Sequence, residues 1–415
     1  MEILNYILDM GGSVVMPIII TVIGLIFGQK FSKAFRSGMT IGIGLIGINL
    51  ITGLMGDYVS PAAQAMVERF GISLSVVDVG WPVSSAIAFA TTIVPWVFVT
   101  CFALNIIMLA TNTTKTLNID IWNYWHFILT GSLVQTATGS LILGVIASGL
   151  TFIIVMKFAD YSAPRVQEYF GLPNVSTPHT ETVSWAPLCI LLDKLYDRIP
   201  GFRKIQLDGD TIQEKLGFLG DPIVLGLILG AFIGLLAGYE PNALITLAVQ
   251  MSAVMFLLPR MVKILMEGLM PLSEDAKKFM AKRFPGKEVY IGMDAAIATG
   301  SPMVVSAALL MIPITLLLAV ILPGNKLLPL VDLSTLPFFM IWPVVASRGN
   351  LLRALVTGSL MMIAILYIGT DLAGTATAVA QATNFAFPEG ATAISSLDIG
   401  AHLVPYILYK ILALF

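Results

Sequence analysis

Apolar residues run along this chain in long blocks instead of alternating with polar ones. Blocks approaching the ~20 residues that cross a bilayer as a helix recur at Met16–Phe27 with its flanking small residues, Ile41–Met55, Thr92–Ala110, Leu141–Met156, Pro222–Gly238 and Leu351–Ile368. They are too long and too uniformly apolar for the alternating strands of a membrane β-barrel, whereas a helix satisfies its own backbone groups within hydrocarbon. The pattern predicts an all-α polytopic membrane protein. Composition agrees: 57% of the 415 residues are hydrophobic and 12% charged, with a mean hydropathy of +0.89, beyond the range of a soluble domain.

The opening MEILNYILDMGG has no basic region and no small-residue cleavage site, so the first span is expected to serve as the insertion signal. A net charge of −2 gives no sign of a nucleic-acid partner. The two cysteines, Cys101 and Cys189, have neither metal-type spacing nor a disulfide framework and read as inert.

The order of local patterns repeats. Arg69-Phe70 is answered by Arg283-Phe284, TKTLNID (114–120) by NKLLPLVD (325–332), and TGSL at 138–141 by TGSL at 357–360. After Pro173 and again after Pro388 comes a stretch of small polar residues, then an apolar segment ending at Lys194 or Lys410. Each match is weak, but they are collinear. They give a first repeat at 1–195, a basic cytoplasmic linker at 196–216 and a second repeat at 217–415.

Loop charge orients the two halves, because short Lys/Arg-rich loops stay cytoplasmic. Loop 28–36 carries Lys30, Lys33 and Arg36, while its counterpart GYEPN (238–242) has no basic residue. Loop 57–80 has only Arg69, while 263–290 has Lys263, Lys277, Lys278, Lys282, Arg283 and Lys287. The bias swaps between halves, as in an inverted repeat with an outside N-terminus. Inverted repeats with interrupted segments are a transporter architecture in which substrate sits near the midplane. Matched interruptions lie at DVGWPVSSAIA (78–88) and GMDAAIATGSP (292–302), which read as re-entrant or half-helical, and a second pair at NYWHFILTGS (123–132) and FFMIWPVVASRGN (338–350).

Polar residues inside such segments are candidates for function. Asp294 sits among Gly, Ala, Met and Ile and reads both as a site carboxylate and as a helix cap. His126 and Thr130 lie one helical turn apart and can share a cavity, unless His126 is an interfacial residue beside Trp122, Tyr124 and Trp125. The run NVSTPHTETVSW (174–185) gathers Ser176, Thr177, His179, Thr180 and Glu181 between helix-breaking prolines. It is either an ordinary cytoplasmic loop or polar backbone lining a cavity. Its counterpart, 385–403, repeats the pattern with Glu389, which points to a structural role in both halves. Asp398 and His402 read there as ends of the final helix with no site role.

No phosphate-binding loop, HExxH or nucleophile elbow occurs. The sequence shows no clustered Asp/Glu/His metal set, so no metal, cofactor or catalytic residue is expected.

The set IDIWNYWHFILTGS, NVSTPHTETVSW and YIGMDAAIATGSP on an inverted repeat resembles the galactitol-type enzyme IIC membrane subunit of the phosphotransferase system, in a superfamily that includes the ascorbate-type proteins. The resemblance covers essentially the whole chain. It implies a homodimer in the bacterial cytoplasmic (inner) membrane, with a sugar-carrying core domain that moves elevator-like against a scaffold of V-shaped helices. Galactitol, or a related polyol or hexose, would enter from outside and be phosphorylated by a phosphocysteine on a IIB subunit, itself recharged by a histidine-bearing IIA. By motif, substrate ligands would fall at His126, Thr130, His179, Thr180 and Asp294, with a contribution from the segment around Trp81, Ser84 and Ser85.

The ascorbate relatives carry glutamine where this chain has Thr130 and Thr180. A hydroxyl suits a neutral polyol better than a planar acid, since it donates or accepts without a fixed amide plane. Glu181 adds a further acceptor, and Trp81 and Trp342 an apolar surface. The chain itself is then the membrane component of a phosphotransferase complex and performs no phosphoryl chemistry. The basic segments 196–216 and 263–290 would dock IIB or serve only as topology signals. The rival reading is an ion-coupled secondary transporter using Asp294 with Glu181. An intramembrane enzyme would need a catalytic carboxylate pair or metal cluster, and the sequence displays neither.

Overall fold

The computed structural model describes residues 12–26, 28–69, 75–89, 91–118, 123–200, 202, 222–283, 288–293, 295, 299, 301–329, 332–383 and 393–414. The first half runs α1 (Gly12–Ile26), α2 (Phe31–Arg69), β1 (Val76–Asp78), α3 (Gly80–Phe89), α4 (Val94–Ala110), β2 (Thr116–Asn118), α5 (Tyr124–Thr138), α6 (Leu141–Phe170), β3 (Val175–Ser176), α7 (Thr180–Val183) and α8 (Ala186–Tyr196). The second runs α9 (Pro222–Ala237), α10 (Pro241–Arg283), β4 (Tyr290–Gly292), α11 (Pro302–Ile321), β5 (Leu327–Leu328), a 3-10 turn (Asp332–Thr335), α12 (Leu336–Ala346), α13 (Leu351–Ala382), β6 (Ala393–Ser395), α14 (Leu397–Ala401) and α15 (Leu403–Leu412).

All six apolar blocks fall on helices. Among the described residues α6, α11 and α13 are long and apolar enough to cross a membrane, while α4, α12 and α15 are shorter apolar helices. Local chemistry sets the ends. Ser140 caps α6 by accepting from the Leu143 N–H at 3.3 Å, and Asn350 caps α13 by accepting from Arg353 at 3.2 Å. Gly139, at φ 70°, closes α5 in the left-handed region that a β-carbon disfavours. Proline stands in the first turn of α4, α8, α11 and α12, where its missing N–H costs nothing.

Helices α1, α2, α9 and α10 form one packed group drawn from both halves. Gln29 ties it together, its Nε2 donating to the Pro271 carbonyl at 3.1 Å and to Asp275 Oδ2 at 2.9 Å. The other helices pack mainly on one another and on two small parallel sheets. The all-helical reading misses these sheets, because strands of two or three residues are too short to register as a period-2 pattern. One sheet has the order β5-β1-β6, pairing Val76 with Leu327 and with Ala393. The other is β2-β4-β3, pairing Ile291 with Leu117 and with Val175. A strand of each half thus lies between two strands of the other. The strands β2 and β5 fall within the matched stretches TKTLNID and NKLLPLVD.

The segment 78–88 is indeed interrupted, as a strand end followed by the 10-residue helix α3. Its counterpart 292–302 begins at the end of β4 and finishes at the start of α11, with Asp294 outside the described residues, as is Glu389. Beneath the broken segments lies a core with Trp125, Trp185, Trp342, Phe127 and Phe339 fully buried.

Candidate functional site in the helical core

Two breaks in helix build the site, one in each half. In the first, Asn174 adopts φ 60° and β3 docks beside β4, with Met293 N–H donating to the Ser176 carbonyl at 2.9 Å. Ser176 Oγ lies 2.9 Å from Thr116 Oγ1. Pro178 keeps the chain extended up to His179, after which the carbonyl of His179 starts the single turn α7 by accepting from Val183 at 2.8 Å. Every residue from Val175 to Trp185 is buried. The ordinary-loop reading therefore fails.

In the second break, Ser396 caps α14 by accepting from Ile399 N–H at 3.0 Å, and His402 interrupts the helix at φ −80° and ψ 70° before α15 resumes. Trp185 Nε1 bridges the two breaks by donating to the Ala401 carbonyl at 2.6 Å. Helix α5 packs against both and brings His126, in its first turn.

The three histidines of the chain meet there. The His126 ring centroid lies 4.6 Å from that of His179 and 4.8 Å from that of His402, with Trp125 at 4.0 Å. Two carboxyls join them: His179 Nδ1 is 3.2 Å from Glu181 Oε1, and His402 Nε2 is 3.3 Å from Asp398 Oδ2. Glu181 and Asp398 each place a carboxyl oxygen within 4.8 Å of the other. All five residues are at most 4% exposed. Buried polar groups are stable only when partnered, yet His126 Nδ1, Thr180 Oγ1 and His402 Nδ1 have no hydrogen-bond partner among the described residues. Among the described residues the cluster therefore has donor and acceptor capacity that no other group takes up.

A second layer fixes the breaks. Asp332 accepts from Trp81 N–H at 2.8 Å and from Asp398 N–H at 3.0 Å, while Asp78 accepts from Gly80 N–H at 3.0 Å and from Asp332 N–H at 2.9 Å. Each carboxyl thus supplies acceptors to amides at the start of a short helix, where intrahelical partners are missing.

Comparison with known proteins gives a family for this arrangement. A family model described as the PTS system sugar-specific permease component, EIIC-GAT, matches residues 6–390. The chain is 43% identical to a putative permease IIC component of Escherichia coli K12 over 396 residues, 95% of this chain and 91% of the relative. It is 39% identical to the galactitol-specific EIIC components of the PTS from E. coli K12 and E. coli O157:H7, over 410 residues, 99% of this chain and 90% of either relative. This chain is a phosphotransferase-system sugar permease of the EIIC-GAT family.

Of the permease residues singled out from sequence, the structure brings His126, His179 and Glu181 into direct contact range. Thr180 adjoins them with a hydroxyl that has no partner among the described residues, whereas Thr130 turns its hydroxyl back to donate to the His126 carbonyl at 2.8 Å. Ser84 is buried and donates to the Gly80 carbonyl at 2.9 Å, and its Oγ lies 3.3 Å from Ser396 Oγ, two residues from Asp398. Ser85 is buried beside it, and Trp81 is half-buried. Trp342 is fully buried, but the aromatic stacked on His179 is Phe338 from the same helix, with centroids 5.7 Å apart.

Two sequence expectations are corrected. Asp398 and His402 are not idle ends of the last helix; they are members of the cluster, because α14 is a separate turn that points back at α7. The sequence shows no metal-type set, yet His126, Glu181, Asp398 and His402 each place one ligand-type atom within 4.8 Å of the others. They come from three distant segments, so no spacing rule detects them. The available signal was the i,i+4 pair Asp398/His402 in a stretch that mirrors the one holding His179 and Glu181.

Proposed function

We propose that the buried histidine–carboxyl cluster is the polyol site of this permease, and that galactitol or a closely related polyol or hexose is the substrate. The observation that carries this reading is the convergence of every histidine in the chain with Glu181 and Asp398 at two helix breaks. A polyol presents only hydroxyls and needs several convergent donors and acceptors. Neutral imidazoles offer one of each and carboxyls offer acceptors. His126, His179, Thr180 and Glu181 supply these, with Asp398 and His402 added to the set. Thr130, Ser84, Ser85 and Trp81 line its margins, and Asp294 contributes from the second half. The relatives named for galactitol support the substrate class.

The two halves act as inverted repeats spanning 1–195 and 217–415, a reading supported by the recurring element order and the interleaved strands. Helices α1, α2, α9 and α10 form the scaffold and the remaining helices a core that moves against it as an elevator. The permease works as a homodimer in the bacterial inner membrane with its N-terminus outside. It delivers sugar to IIB, whose phosphocysteine phosphorylates it and is recharged by IIA; 196–216 and 263–290 offer basic docking segments.

The test is uptake of radiolabelled galactitol into vesicles, with and without phosphorylated IIB, for the parent and for His179→Ala. Phosphorylated product that requires IIB and is lost in the variant is the expected result. Accumulation of unmodified sugar driven by an ion gradient without IIB would overturn the phosphotransfer route in favour of ion coupling. Normal transport by His179→Ala would remove the cluster from the substrate path.

A further inference from the structure

We propose that His126, Glu181, Asp398 and His402 form a binding site for a divalent cation of the zinc class. Cation binding rests on this geometry alone, and only its competition with sugar rests on the polyol reading above.

Two imidazoles and two carboxyls make an N2O2 donor set. Such a set selects zinc or a neighbouring late transition ion over magnesium and calcium, which prefer six or more oxygens. A tetrahedral zinc with bonds of ~2.0–2.1 Å separates its ligand atoms by about 3.3 Å. The His402–Asp398 pair already stands at 3.3 Å, and one atom from each of the four residues lies within 4.8 Å of the rest. The set therefore has to tighten by no more than about 1.5 Å across its widest pair, given that bond length.

His402 would ligate through Nε2, the nitrogen that stands 3.3 Å from Asp398 Oδ2, while His126 Nδ1 is buried without a hydrogen-bond partner among the described residues. The surroundings orient the ligands as outer residues do in metal sites. His179 pairs with Glu181 at 3.2 Å, Asp332 accepts the Asp398 backbone N–H at 3.0 Å, and Trp125 packs on the His126 ring. Two buried carboxyls whose oxygens approach within 4.8 Å are favoured by a nearby positive charge, which a dication supplies. Because the cation and a polyol would use the same donors, zinc acts as a competitive inhibitor of sugar binding.

The experiment is titration of the purified full-length permease in nanodiscs with Zn²⁺ by calorimetry, with Mg²⁺ as the contrast, for the parent, Asp398→Asn, His402→Gln and the control Asp371→Asn, an exposed carboxylate on α13 that pairs with Lys410 at 2.6 Å. Co²⁺ absorption provides a second readout, since four-coordinate N/O cobalt gives intense visible bands. The expected result is one saturable zinc site per chain with no comparable magnesium binding. Affinity should fall tenfold or more in both Asp398→Asn and His402→Gln and be unchanged in Asp371→Asn. Absence of saturable zinc binding by the parent overturns the proposal whatever the variants do, and so does parental affinity in both site variants.

Galactitol binding to the same preparations separates the two readings. Sugar binding without zinc binding overturns the cation site and leaves the polyol reading intact. Zinc binding that does not weaken galactitol binding supports the cation site and removes the sugar from the cluster.

Discussion

Thr180 and Trp185, five residues apart, make opposite predictions. The Thr180 hydroxyl is buried and has no partner in the described chain, so replacing it with valine removes an unsatisfied group and leaves stability unchanged within ~0.5 kcal/mol or slightly raised. If that hydroxyl serves a polyol, Thr180→Val lowers galactitol affinity about tenfold, the worth of one hydrogen bond. Thermal unfolding and equilibrium binding on one preparation separate the two effects. Trp185 Nε1, by contrast, satisfies the Ala401 carbonyl at 2.6 Å. Trp185→Phe strands a buried acceptor and should cost about 1–3 kcal/mol; an unaltered unfolding midpoint would show that the bridge contributes nothing. His126 was legible in the sequence because Thr130 follows it one helical turn on, and His179 because it stands in a polar run between helix-breaking prolines. Asp398 and His402 were not, because an acid and a histidine near the end of a chain resemble helix-terminal residues until the turn that carries them is placed.

At the level of elements, the short helix α14 is held by close backbone approach. A β-carbon on Gly400 would collide with the Ile365 carbonyl oxygen and lie 3.0 Å from Gly369 N, so α14 and α13 must separate to admit it. Gly400→Ala should destabilise the protein by about 1–3 kcal/mol and weaken ligand binding, because α14 carries Asp398. Gly374, on α13, has nothing within 4 Å of the same added atom. Gly374→Ala is expected to be neutral or stabilising by up to ~1 kcal/mol, as for Gly to Ala in an open helix. Equal effects from the two substitutions in thermal unfolding would refute the packing argument. The breaks flanking these elements are announced in the sequence by Pro173, Pro178 and Pro388, whereas the strands beside them are not. Two paired residues gain their stability from the partner strand, so nothing in their own pattern reveals them.

Across the whole molecule, polar ties join the halves at points far apart in sequence. Arg353 on α13 reaches Asp193 at 2.9 Å and Asp197 at 2.8 Å at the end of α8. The Arg353 side chain is 11% exposed and that of Asp197 is 59% exposed, so the pair is only partly shielded from solvent screening. Arg353→Gln should cost about 1–3 kcal/mol, below a fully buried pair, and a variant as stable as the parent would dismiss the tie. In the packed group of α1, α2, α9 and α10, Lys33 and Gln29 bind Asp275, beyond the apolar stretch 241–254 of α10. Hydrogen bonding from Lys33, then from Gln29, holds the Asp275 carboxyl below its ordinary range. A depressed carboxyl stabilises the fold above its unfolded pKa of ~3.9 and loses that contribution as pH falls through the lower folded value. Unfolding followed from pH 6 to pH 3 should therefore show less acid loss in Asp275→Asn than in the parent, and identical slopes would count against the tie.

The sequence by itself determined the membrane class, the positions of the long helices, the places where helix fails and the polar residues at the first break. It could do so because these features depend on a residue's own solubility or backbone geometry: an apolar block seeks lipid or core, and a proline removes a hydrogen bond wherever it stands. Only the tertiary structure decided that β1 lies between β5 and β6, that Phe338 stacks on His179, and that His402 and Asp398 turn back onto Glu181. Those outcomes depend on which distant segments meet, a pairing that no local pattern encodes.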